Sequence, residues 1–279
     1  MLKLKLDCEI VGKVGSMALI RKDEYDIDYN VFSRLGKELH PGCIWVSSGA
    51  VEIGRIDYMK RNNLKEIENS NDEDIKSYYA SQGQAILMEN YRRFISQDYS
   101  VRQVLVEHHH FNDSEKREFI KKLLIQSVKQ KAIPIINYND SVSSDEIRKL
   151  ELYNLKLNQD KVVECIDNDE TASQVSLLVK SKYLVILTSE VGLLKNAKDP
   201  STLISEVEGK NTYELIENIR QLQEYCSGAS RKGANGMKAK LEYLIEPLKQ
   251  GTTVIIGHSK YRLSDLINGN VERTIFRVR

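Results

Sequence analysis

Short apolar runs alternate along this chain with longer segments whose apolar residues recur every three or four positions. Those two periods separate buried strands from amphipathic helices. Residues 8–14 form the first apolar run, and Gly15 and Ser16 break it. Val31, Phe32, Leu35 and Leu39 then recur at helical spacing, with Asp28 or Asn30 placed to cap the helix. After Pro41 and Gly42, the run Cys43-Ile44-Trp45-Val46 predicts a short buried strand that delivers the chain into Ser47-Ser48-Gly49-Ala50. Residues 60–74 are polar and crowded with Glu66, Glu68, Asp72, Glu73 and Asp74, which predicts a solvated loop. A helix is predicted over 74–95, a strand over 101–106, a helix over 114–130 and a strand over 132–136. The second half continues with a helix after Asp167, a strand over 183–187, helices over 211–225 and 236–249, and a strand over 253–256. No internal repeat or low-complexity tract interrupts the series.

Repeated strand–helix alternation predicts an α/β fold: a mainly parallel sheet covered by helices on both faces, a three-layer α/β/α sandwich. Ligands of such sheets sit beyond the carboxyl ends of the strands, so the residues just after each strand are the ones to inspect.

Composition narrows the function without choosing it. At 279 residues and 41% hydrophobic content the chain is long enough for a large buried core. Its 41 basic and 40 acidic residues nearly cancel, which argues against nucleic acid or membrane as the main partner and for a small-molecule substrate. Residues 1–7 alternate Leu with Lys and reach Asp7 before any apolar run long enough for a leader or span, so a cytoplasmic protein is expected. Cys8, Cys43, Cys165 and Cys226 are scattered without a CxxC pair, so spacing suggests neither a disulfide framework nor a zinc site.

Five segments carry candidate chemistry, three at strand ends and two at helix starts. Lys13-Val14-Gly15-Ser16 pairs a mobile positive charge with a turn whose amides can approach phosphate, and it also reads as an ordinary strand-to-loop turn. No GxxxxGK[ST] loop exists anywhere in the chain. Ser47-Ser48-Gly49-Ala50 suits either an anion at a helix N-terminus or close helix–strand packing. Asn137-Tyr138-Asn139-Asp140 suits a ligand contact or an Asx turn. Asp167-Asn168-Asp169 opens a helix, where such residues cap for structural reasons or hold a substrate ammonium and catalytic lysines. Gly236-Met237-Lys238-Ala239-Lys240 places two lysines in the first turns of a helix, where they oppose the macrodipole unless an anion is present. His108-His109-His110, expected at a strand end, cannot all face one ion, so no metal site is assigned.

In order and spacing these fragments resemble the amino acid kinase family and, within it, the glutamate 5-kinase branch, over nearly the whole chain. Residues 13–16 resemble the first phosphate loop, 46–54 the VSSGAxxxG segment, 80–84 the AAxGQ helix and 133–140 the IPIINEND strand end. Residues 167–169, 187–193 and 236–240 resemble the GDND, LLTDxxGLY and GTGGMxTK signatures, and 269–276 the last strand of the kinase domain. The resemblance implies phosphorylation of a carboxylate of L-glutamate by ATP with Mg²⁺, in a homodimer or homotetramer. One domain over 1–279 is then expected, with an acid-binding lobe over about 1–160 and a nucleotide-binding lobe over about 161–279. The RNA-binding-like domain that many members append is expected to be missing.

Carried over residue by residue, the resemblance implies a catalytic set of Lys13, Lys240 and Asp169, the lysines touching the transferred phosphoryl group and Asp169 positioning them. Ser48, Gly49, Asp140 and Asn168 would hold the acid. Gly15, Ser16, Thr188, Ser189, Gly236 and Met237 would join the two lysines around the nucleotide. The pattern is broken where Ser189 replaces Asp, Leu194 replaces Tyr, Ala234-Asn235 replace Thr-Gly, Ile166 replaces Gly, Tyr138 replaces Glu and Lys121 replaces Asn.

Overall fold

The protein is described by a computed structural model covering residues 8–67, 70–196, 199–225 and 236–279, so Cys226 and Ala234-Asn235 lie outside the described residues. From the N-terminus come β1 (Ile10–Val14), a small hairpin of β2 (Ile20–Arg21) and β3 (Asp26–Ile27), α1 (Tyr29–Glu38), β4 (Cys43–Ser47), α2 (Ala50–Arg61) and α3 (Asp72–Phe94). There follow β5 (Ser100–Val106), α4 (His109–Asn112), α5 (Ser114–Lys129), β6 (Ala132–Tyr138), α6 (Asp145–Asn158), α7 (Asn168–Val179) and β7 (Tyr183–Thr188). The chain continues through a hairpin of β8 (Leu193–Leu194) and β9 (Leu203–Ile204), β10 (Glu206–Gly209) and α8 (Thr212–Tyr225). Its final elements are α9 (Gly236–Lys249), β11 (Thr253–His258), α10 (Leu263–Asn268) and β12 (Thr274–Val278).

Eight strands form one sheet in the order β10-β12-β11-β7-β1-β4-β6-β5. Every pairing from β5 across to β11 is parallel, and only the β11–β12 pairing is antiparallel. The expected mainly parallel sheet is therefore present, and β1 sits at the switch point. Strands before residue 140 extend it on one side and strands after residue 180 on the other. That reversal opens the crevice in which doubly wound sheets bind ligands.

Alternation along the strands sorts the core into two layers. Ile10, Val14, Trp45, Ile135 and Leu187 face α1, α2, α3 and α10. Val11, Val46, Ile136 and Ile186 face the other way, where Leu124 of α5, Ala172 and Val175 of α7, Ile219 of α8 and Leu244 of α9 cover them. Lys13 is two positions from Val11, so the same parity turns it toward α7 and α9.

Three local expectations are corrected. The acidic stretch does not remain a loop throughout: Asn71 accepts the Asp74 N–H at 2.8 Å, and Asp72, Glu73 and Asp74 become the first turn of α3, where carboxylates favour the helix dipole. The histidine run does not end a strand, because His108 precedes α4 and His109 and His110 begin it. Helix α6 has no counterpart in the expected elements; Ser144 caps it. Among the described residues no helix is long and apolar enough to cross a membrane.

Helices α2 and α3 cross at backbone contact. A Cβ on Gly54 would lie 1.8 Å from the Tyr79 carbonyl oxygen, and one on Gly83 would lie 1.8 Å from that of Ala50. No flexible side chain can yield there. Gly83→Ala should lower stability by about 2 kcal/mol, read as an earlier denaturant midpoint; an unchanged midpoint would show that the two helices part without cost.

Candidate active site

The carboxyl ends of β1, β4, β6 and β7 converge on the N-terminus of α7. Asp167 caps that helix, accepting the N–H groups of Asp169 at 2.7 Å and Glu170 at 3.1 Å. The cap fixes Asp169 in the first turn, pointing into the layer that Lys13 enters from β1 and Lys240 from α9. Lys13 Nζ stands 2.8 Å from Asp169 Oδ1, and Lys240 Nζ stands 2.8 Å from Asp169 Oδ2. All three side chains are largely buried, at 10%, 16% and 8% exposure for Lys13, Lys240 and Asp169. Burial by itself would push the Asp169 carboxyl up, but the two ammonium charges overcome it and hold the group well below the usual carboxylate range. Asp167 is shifted the other way, first by burial and then by the neighbouring Asp169 charge. Burial also raises Glu170, whose carboxylate accepts the N–H groups of Glu164 and Ile166 and so fixes the approach to α7.

Beside this ion triad runs a chain of amide hydrogen bonds. Asn168 Nδ2 donates to Ser48 Oγ at 2.9 Å and to Asn137 Oδ1 at 3.0 Å, and Asn137 Nδ2 donates to Gln84 Oε1 at 2.9 Å. Asn168 Oδ1 and Gln84 Nε2 are buried with no hydrogen-bond partner. An acceptor and a donor left unsatisfied in one network are costly unless a ligand uses them. Gly49, at φ 110°, provides the left-handed corner that turns β4 into α2, and no side chain caps the amides of that helix. Asn137 and Gln84 were not among the expected site residues. Their signal was present, since both stand inside the fragments 133–140 and 80–84.

Asp140 is not joined to that chain. Its carboxylate pairs with Lys76 of α3 at 2.9 Å, and Ser77 Oγ donates to the Ser141 carbonyl at 2.6 Å. Glu73, one turn earlier, accepts the Asp145 N–H. Glu73, Lys76 and Ser77 are spaced to share one helix face, so α3 clamps the loop that carries Asp140. Ala50, Ala80, Gln84, Tyr138, Asn139 and Asp140 line a cavity of about 10 Å³, the room of a single water.

On the other side of the triad, Gly15 donates its N–H to the Leu187 carbonyl, and Ser16 begins a single turn of 3₁₀ helix. Thr188 ends β7 beside His258 of β11, with its hydroxyl bonded to the Glu190 backbone, and Ser189 is exposed in the same turn. Gly236 and Met237 open α9, half-buried, one turn before Lys240. Among the described residues no group of three or more His, Cys, Asp or Glu side chains is placed to hold a metal. Both Asp169 oxygens face ammonium groups. These residues do not form a resident magnesium site.

A buried carboxylate joins two lysines at the switch point of the parallel sheet, a triad with one net positive charge. Residues 10–258 match the model of the amino acid kinase family, and the chain belongs to that family. It is a kinase-type phosphotransferase, and its family implies use of ATP. Glutamate 5-kinase of Aquifex aeolicus is 31% identical over 96% of this chain and 68% of its own length. Delta-1-pyrroline-5-carboxylate synthase B of Arabidopsis thaliana is 27% identical over 96% of this chain, which spans only 35% of that protein. In fold, carbamate kinase from Giardia lamblia bound to AMP-PNP aligns with a TM-score of 0.58 at 16% identity, covering 95% of this chain and 97% of the other. UMP kinase from Ureaplasma parvum aligns at 0.52 with 10% identity, covering 98% and 99%.

Asp169→Asn should leave two buried ammonium groups without a counter-charge and cost about 3–5 kcal/mol of stability, recovered in part by added inorganic phosphate. Because the folded carboxyl is held below its unfolded value, this advantage is complete above about pH 4 and lost as pH falls toward the folded value. Denaturant melts of the two proteins should therefore converge on acidification from about pH 4 toward pH 2. A gap independent of pH would contradict the assigned ion pairs.

Proposed function

We propose that this chain transfers the γ-phosphoryl group of ATP to the γ-carboxylate of L-glutamate, forming γ-glutamyl phosphate for proline biosynthesis. The observation that carries this reading is the Lys13–Asp169–Lys240 triad, which holds two cations 2.8 Å from a shared, largely buried carboxylate. Its support is the unsatisfied Asn168 and Gln84 amide atoms beside it and the similarity to proteins named glutamate 5-kinase.

In this reaction a carboxylate oxygen of the acid attacks the γ-phosphorus in line, the bond to the β–γ bridging oxygen breaks, and ADP leaves with the electron pair. A carboxylate is ionised at neutral pH, so no general base is required. Lys13 and Lys240 take up the charge that spreads over the transferring group, and Asp169 positions both without touching phosphorus. Mg²⁺ arrives in the nucleotide complex. Ser48, Gly49, Asp140 and Asn168 hold the acid, mostly from the lobe before about residue 160, and the lobe after it supplies most of the nucleotide contacts, joined by Lys13, Gly15 and Ser16.

Asp140 supports a second acceptor class, because its carboxylate is already neutralised by Lys76. An amino acid must win Asp140 for its ammonium, whereas a dicarboxylate without an ammonium leaves the pair intact. Lys76 is 40% exposed, so breaking the pair costs no more than about 1 kcal/mol. Lys76→Met should then lower KM for L-glutamate by up to about fivefold and leave glutarate unchanged. Faster turnover of glutarate than of L-glutamate by the wild-type chain would move the acceptor to plain dicarboxylates.

Lys13→Ala and Lys240→Ala should each lower kcat by about 10²- to 10³-fold with the fold retained, since the lost charge acts on the transition state. Lys238, exposed two residues before Lys240, is the control, and its alanine variant should keep most activity. Equal activity of the Lys240 and Lys238 variants would remove the triad from the chemistry. Asp140→Ala and Asn168→Ala should raise KM for the acid far more than for ATP; parallel rises would contradict the division of the site.

A further inference from the structure

At the C-terminal end of α7 lies a cleft that no step of the proposed reaction uses. Helices α4, α5 and α7 border about 350 Å³ there, the small end of the range for ligand pockets. Its floor is apolar: Phe111 of α4 and Leu178 of α7 are buried, and Leu177 is half-buried beside them. Its rim is cationic, with Arg117 and Lys121 from α5 and Lys180 from the end of α7. Leu177 follows Asp169 by eight residues, so the helical rise puts the cleft about 12 Å from the triad along the axis of α7. The two sites are separate.

Packing alone does not explain three cations in one cleft. Arg117 and Lys121 stand one turn apart on the same face of α5, where like charges repel. Arg117 also lies at the end of the first turn, where the helix dipole disfavours a cation. Lys180 suits the carbonyl end of α7, yet it closes that helix in the left-handed conformation, at φ 52°, which glycine adopts at least cost. The one acidic side chain in the lining, Glu118, lies 3.7 Å from Lys121 Nζ. Among the described residues Arg117 and Lys180 form no ion pair and no side-chain hydrogen bond. Three cations against one carboxylate leave the cleft with two uncompensated positive charges.

A matching ligand carries about two negative charges at one end and an apolar body at the other. A phosphate monoester has both: its group bears about −2 at neutral pH and offers three acceptor oxygens. The planar fork of Arg117 and the two ammonium groups can share those oxygens. A monocarboxylate would leave one positive charge unmatched, and inorganic phosphate would leave Phe111 and the two leucines facing water. We propose that the cleft between α5 and α7 binds a small phosphate monoester with an apolar body, its phosphoryl group held by Arg117, Lys121 and Lys180 above Phe111, Leu177 and Leu178. The inference needs no assumption about the reaction at the triad.

The test titrates the ¹⁵N-labelled full chain with phenyl phosphate and follows the backbone amides by NMR. Amides of residues 114–121 and 177–180 should shift together and saturate with a Kd of about 1 mM, ordinary for so small a probe at an exposed rim. Binding at the triad is read separately, at the amides of Gly15 and Asp169. The double variant Arg117→Glu, Lys180→Glu should weaken binding at the cleft about tenfold or more, with circular dichroism and melting unchanged because both positions are exposed. Lys129→Glu, exposed in the last turn of α5, makes the same charge change outside the cleft and should leave that Kd unaltered. No saturable shift at the cleft up to about 20 mM probe, shifts confined to the triad, or shifts that survive the double variant would overturn the proposal. So would phenol moving the same amides as phenyl phosphate does, since charge would then not be read, or inorganic phosphate binding there as tightly, since the apolar floor would then not be used.

Discussion

Everything about this site depends on one carboxylate serving two ammonium groups. Lys13 and Lys240 come from opposite ends of the chain and would repel each other if buried side by side. Asp169 removes that repulsion, and the Asp167 cap keeps it at the height where both can reach. The resulting triad bears a net positive charge, which under the proposed function an incoming phosphate would offset without any protein group having to ionise. The fold supplies this arrangement by parity: one strand position turns Lys13 into the layer shared by α7 and α9, and helix capping does the rest.

The side proposed to hold the acceptor is built by a different constraint. Gly54 and Gly83 let α2 and α3 meet at backbone distance, and that contact brings Gln84 within reach of Asn137 and lays Lys76 and Ser77 over the loop after β6. Under the proposed function, substrate choice would rest on helix–helix packing as much as on the polar residues themselves.

Much of this was legible in the residues. The βα alternation came from short apolar runs such as 43–46 and 183–187, and the helix opened by Asp167 announced itself by its cap. That Lys13, Asp169 and Lys240 meet is invisible to local reasoning, because they are far apart in sequence, and only the family resemblance joined them. Helix α6 escaped because Leu150, Leu152, Leu155 and Leu157 place apolar groups on two faces, which blurs the helical period. Asn137 and Gln84 were overlooked because neither is charged, and their role comes from hydrogen bonds to partners more than thirty residues away. Asp140 is among the residues expected to hold the acid, and its pairing with Lys76 was not foreseen because that lysine lies on an element whose face cannot be known from spacing alone.

The central claim is that a carboxylate, held beside this triad, is the nucleophile. It is tested most directly by supplying L-glutamate labelled with ¹⁸O in its γ-carboxylate, together with ATP and hydroxylamine to trap the acyl phosphate. Attack by the carboxylate predicts a hydroxamate and inorganic phosphate carrying one ¹⁸O atom from the acid, with both lost in Lys240→Ala. Phosphate released without label, at the same rate with or without the acid, would mean that water is the acceptor and would contradict the account.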